Sequence, residues 1–145
     1  MSEPHVSEIV RIIQLVVAPV FFLTAIGTLI NALNTRLARA VDRRRALEQG
    51  APQMRPEESD AAREELAQIA RRIRLGYLAI LFAVLSGLFI CLLIAGAFLG
   101  ALVDKELTRT IAALFVLAVL ALVVSLLLFL REIFLAVTTP RHRPL

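Results

Sequence analysis

Three long runs of this chain contain no Asp, Glu, Lys or Arg: Ile12 to Ile30, Leu75 to Leu99 and Ile111 to Leu130. At about 1.5 Å per residue, helices of these lengths reach roughly 28, 37 and 30 Å, against a hydrocarbon core about 30 Å thick. Each is long enough to cross a bilayer, the second with some tilt. The third carries fifteen Leu, Ile, Val or Phe in twenty positions, so its transfer into lipid is favourable with no charge to oppose it. Overall, 59% of the 145 residues are hydrophobic, above the roughly 45–50% of an ordinary soluble domain. A disulfide scaffold is excluded because the chain has one cysteine. The segment before the first run, Met1 to Val10, carries Glu3 and Glu8 and no basic residue. Since a secretory signal needs a positive start, the first run reads as a retained helix.

Arginine sets the direction of insertion. Ten arginines, from Arg36 to Arg74, separate the first two runs, whereas the second connection holds only Lys105 and Arg109. The positive-inside rule therefore predicts a cytoplasmic segment 31–74, an outer N-terminus and an inner C-terminal tail, 138–145.

Nothing between Thr28 and Gln49 breaks a helix, so the first span is expected to continue to Gly50 and Pro52. A second helix is predicted from Pro56, with Glu57, Glu58 and Asp60 near the positive end of its dipole, running on into the second span. Ile30, Leu33, Leu37, Val41 and Leu47 form an apolar stripe on one arm, and Ala62, Leu66, Ile69 and Ile73 form one on the other. The predicted fold is all-α: a three-helix membrane bundle whose first two helices extend as an antiparallel cytoplasmic hairpin, zipped in coiled-coil fashion.

The run IQLVVAPVFFLTAIGTLINALNTRLARAVDRRRALE, Ile13 to Glu48, resembles a family of small bacterial three-span inner-membrane proteins catalogued only as a domain of unknown function. The resemblance implies a bacterial inner-membrane location. It supplies no activity, ligand or catalytic residue.

Polar residues inside a span need partners in protein, because lipid offers none. Thr24, Thr28, Asn31 and Thr35 share one side of the first helix, with Asn34 at its margin. They predict either hydrogen bonds to helices or to their own carbonyls, or a pore lined by several copies of the chain. Pro19 lies in mid-span and removes one backbone hydrogen bond. On the second helix Ala79, Ala83, Gly87, Cys91 and Ala95 recur every fourth position, a small-residue pattern that predicts close helix packing and self-association.

Catalytic constellations are lacking. His5 and His142 fall on opposite sides of the predicted membrane, and Ser86 and Ser125 have no histidine at their depth, so no enzyme, metal or cofactor is predicted. The ten hairpin arginines face seven acids there, leaving about +3, with no interleaved aromatics for stacking. Nucleic acid is therefore not an expected partner. Anionic lipid on the cytoplasmic side is, through Arg71, Arg72 and Arg74. Arg131 and Glu132, at the end of the third run, carry the default expectation of a paired or snorkelling role. The expected function is structural or interactive: a homo-oligomer presenting its basic hairpin to a cytosolic protein partner or lipid surface. The alternative is a small homo-oligomeric ion channel lined by Thr24, Thr28 and Asn31.

Overall fold

The computed structural model describes residues 3–53, 55–103 and 107–138. Three α-helices follow in order: α1, Glu3–Gly50; α2, Pro56–Val103; and α3, Thr108–Thr138. A single 3-10 turn, Ala51–Gln53, joins the first pair. The described residues contain no strand. All three helices are long and apolar enough to cross a membrane.

The helix boundaries follow from local chemistry. α1 runs unbroken through Pro19 and ends at Gly50, two residues before Pro52. α2 opens on Pro56, whose missing N–H is no loss at a first helical position, with Glu57 and Glu58 in its first turn. The Glu58 carboxylate accepts a hydrogen bond from the Arg55 backbone N–H at 3.2 Å, one of the amides a helix start leaves over. α2 runs on past Leu99, the end of the second uncharged run, to Val103. Most of the tail 138–145 lies outside the described residues; only Thr138 is described, and it is helical.

The chain divides into two compact units, Met1–Ile30 with Phe82–Val123, and Asn31–Leu81 with Val124–Leu145. In the first unit the core is Ile26, Ile90 and Ala118, one residue from each helix, with Phe22, Leu23, Ile30, Phe89, Ile94 and Leu122 packed around it. Phe22 and Phe115 meet with ring centroids 6.3 Å apart in a tilted pair. A Cβ added to Gly87 would stand 3.6 Å from Leu23 and 3.7 Å from Ile26, so this glycine lets α2 lie close against α1.

In the second unit Leu47, Ile69 and Ile73 are buried together, with Leu37, Ala40, Val41 and Leu66 around them. Leu37, Val41 and Leu47 of the first apolar stripe thus pack with Leu66, Ile69 and Ile73 of the second. Gly76 fits beneath Leu37, where an added Cβ would come within 3.3 Å of its side chain. Outside that seam Arg43 pairs with Glu65 at 2.9 Å, both side chains well exposed.

Candidate functional site

Glu132 of α3 is buried, with 7% of its surface exposed, two residues beyond the last apolar position of the third run. A buried carboxylate is costly unless it is paired and hydrogen-bonded. Arg36 of α1 donates to its Oε2 from Nε at 3.2 Å and approaches the same oxygen with Nη2 at 3.1 Å. Arg72 of α2 donates to Oε1 from Nε at 3.3 Å and from Nη2 at 3.0 Å. Each carboxylate oxygen thereby serves one guanidinium, and a single acid joins three helices. The Arg36 guanidinium also lies 5.3 Å from the centre of the Phe129 ring, a cation–π contact. The space left among these residues is about 10 Å³, roughly that of one water. The triad is filled by its own side chains and has no room for a ligand.

Two serines form a second set of contacts. Ser86, fully buried on α2, donates its hydroxyl to the Ala118 carbonyl of α3 at 2.7 Å. Ser125, fully buried on α3, donates to the Ala79 carbonyl of α2, also at 2.7 Å. Arg72, Ala79 and Ser86 are spaced by seven on α2, and Ala118, Ser125 and Glu132 are spaced by seven on α3. Polar contacts between these helices therefore recur in a heptad register, the repeat of a left-handed antiparallel pair.

The polar residues of α1 lie elsewhere. Thr24, Thr28, Asn31, Asn34 and Thr35 are all exposed on the surface of the chain. Thr24 donates to the Val20 carbonyl, Thr28 to that of Thr24 and Thr35 to that of Asn31, at 3.3, 3.1 and 2.9 Å. The threonines bond their own helix, which is one of the two expectations for them; none reaches α2 or α3.

The small-residue row of α2 splits. Ala79, Ala83 and Gly87 are buried, whereas Cys91 and Ala95 are exposed. A four-residue step advances about 40° round a helix, so five such positions sweep about 160° and leave the packed face. The buried positions instead alternate steps of three and four, through Ala79, Ala83, Ser86, Ile90, Leu93 and Ala97. Of the three arginines expected against lipid, Arg71 and Arg74 are exposed, but Arg72 is half-buried and turned to Glu132. Glu132 is paired as expected, with partners the sequence reading did not name. Its neighbour Arg131 is exposed. The serines, dismissed as catalytic residues, act as buried donors. No group of three His, Cys, Asp or Glu suited to a metal occurs among the described residues.

These features define a class: an all-α chain of three helices, each able to span a membrane, tied together by buried neutral hydrogen bonds and one shared carboxylate. The particular family follows from comparison. A family described as a protein of unknown function, DUF2721, matches residues 16–142, and the chain belongs to it. No curated protein and no solved structure matches the chain.

Proposed function

We propose that this chain is a structural or interaction protein of the bacterial inner membrane, which self-associates through α1 and presents the basic segment 31–74 to the cytosol. The observation that carries this reading is the outward ridge of α1. At 100° per residue, Thr24 and Thr28 lie about 160° round the helix from buried Ile26, and Asn31 and Thr35 lie about 160° from buried Leu33. The ridge thus points directly away from the chain's own packing. A threonine that bonds its own helix tolerates lipid, but a carboxamide needs both a donor and an acceptor from outside. A second copy supplies both, because an amide is complementary to itself. The row on α2 is a weaker candidate for the contact, since Ala79, Ala83 and Gly87 already serve the chain's own core. The basic segment, with Arg39, Arg44, Arg45 and Arg63 exposed, is the surface offered to a cytosolic partner.

The test uses oxidative cross-linking in native membranes. In a Cys91→Ser background, Thr28→Cys is expected to give a disulfide-linked dimer, while the parent chain with Cys91 alone gives none. Absence of the Thr28→Cys dimer would remove the α1 interface. Reconstitution in liposomes separates scaffold from channel. No ion flux is expected, and a flux that Asn31→Leu abolishes in an intact oligomer would replace this reading with the pore.

A further inference from the structure

Beside the triad, between α2 and α3, lies a groove of about 350 Å³ lined by Glu64, Gln68, Arg71 and Arg72 on one side and by Leu135 and Thr138 on the other. That is enough volume for a small ligand or a headgroup. We infer that this groove takes the headgroup of an amine-bearing phospholipid, its phosphate at Arg71 and Arg72 and its ammonium toward Glu64.

The order of charges carries the inference. Glu132, which holds Arg72, marks the end of the apolar run of α3, so the arginine end of the groove is the end next to the span. Gln68 follows about 6 Å along α2 from Arg72, and Glu64 about 12 Å. Positive, neutral and negative groups therefore succeed one another away from the bilayer. In a phosphoethanolamine lipid, phosphate and then ammonium succeed one another in that same direction, with the opposite signs. Every helical side chain leans toward the N-terminus, Glu64 included, so it is the reach of the Arg71 side chain, bound by no ion pair, that shortens the span to be bridged.

Arg72 is well prepared for a phosphate. Its Nε and Nη2 are held by Glu132, which fixes the guanidinium and leaves its other Nη for an outside oxygen. Arg71 is exposed and forms none of the ion pairs of the described residues, so its full fork is free for phosphate. Thr138 has given its hydroxyl hydrogen to the Phe134 carbonyl at 2.6 Å, which makes its oxygen an acceptor suited to an ammonium and not a donor to phosphate. Leu135 supplies an apolar wall. With the triad included, Arg36, Arg71 and Arg72 meet Glu64 and Glu132, so net charge attracts any anionic headgroup and it is the sequence of signs that favours a dipolar one.

This inference rests on the membrane reading above and not on self-association. Its test is native mass spectrometry of the full-length protein in detergent, titrated separately with dihexanoyl phosphatidylethanolamine, phosphatidylglycerol and phosphatidylcholine. Phosphatidylethanolamine is expected to be retained about fivefold better than either, the worth of one exposed ion pair. Choline lacks the N–H that Glu64 and Thr138 would accept. Arg71→Gln is expected to weaken phosphatidylethanolamine about tenfold, and Glu64→Gln to bring it down to the phosphatidylglycerol level while leaving phosphatidylglycerol itself undiminished. Equal retention of phosphatidylethanolamine and phosphatidylglycerol by the parent chain would overturn the inference, as would a preference that survives Glu64→Gln. Inorganic phosphate displacing the lipid at equal concentration would assign the groove to free anion instead. Both positions are exposed, and unchanged helical circular dichroism confirms that the variants are folded. Release of the chain from membranes by alkaline wash would instead sink the membrane reading, a result distinct from any of these.

Discussion

The two compact units solve one problem, how to join three helices, with different chemistry. In Met1–Ile30 with Phe82–Val123 a neutral contact joins α2 to α3: one hydroxyl hydrogen to one carbonyl, Ser86 to Ala118, within an apolar core. In Asn31–Leu81 with Val124–Leu145 charge is used as well, and it is shared, with one carboxylate serving two guanidiniums. The difference teaches where ionisation is tolerated. A full charge in hydrocarbon is expensive enough that spans exclude it, whereas a carboxylate at the end of an apolar run can be held by arginines that keep part of their own solvent. Arg36 and Arg72 retain 40% and 27% side-chain exposure, against 9% for Glu132.

The comparison breaks most easily at Glu132. Glu132→Ala leaves two partly buried guanidiniums facing each other without an anion. Loss of a buried ion pair costs about 3–5 kcal/mol, and the exposure of both arginines lowers the expectation to about 2–3 kcal/mol. Thermal unfolding in detergent measures it. Arg36→Gln should cost much less in the Glu132→Ala background than in the parent chain, and equal costs in both would show that the triad is not energetically coupled. Next in size is Gly87→Leu in the neutral unit. A first carbon fits there at ordinary contact distance, but a full side chain collides with Leu23 and Ile26, so about 1–3 kcal/mol should be lost while Gly87→Ala is nearly silent.

Ser86→Ala and Ser125→Ala are expected to cost about 0.6 kcal/mol each and at most about 1.7, the range of hydrogen bonds between membrane helices. They sharpen the comparison through salt: the serine effects should be the same at low and high ionic strength, while the penalty of Glu132→Ala shrinks as salt rises. Arg43→Ala, which breaks an exposed pair with Glu65, should fall below about 1 kcal/mol and serves as the surface control.

The spans, the long arms and the turn between them were legible because hydropathy, Gly50, Pro52 and Pro56 are local signals. The apolar stripes of the arms were legible for the same reason: their period is written along one helix at a time. Partnerships were not. Arg36 and Glu132 stand 96 positions apart, and no spacing rule joins them. The seven-residue rows through Arg72, Ala79 and Ser86 and through Ala118, Ser125 and Glu132 are present in the sequence, yet in alanine-rich spans they vanish among equally good small-residue rows. The row of every fourth residue from Ala79 to Ala95 is buried only as far as Gly87, because that step drifts off the packed face. For α1 the polar side was visible, but its outward direction needed the buried positions Ile26 and Leu33 to define inside.

The heptad contacts of α2 and α3 bear on how such a protein meets a bilayer of changing thickness. Each serine reaches one carbonyl, so sliding α3 by a single residue, about 1.5 Å, pulls the hydroxyl off its mark. Within each unit the serine acts as a dowel between two timbers, resisting any slide of one helix along the other. Were these helices set in a thinner membrane, sliding would carry the cost of those bonds, which favours tilt over shortening.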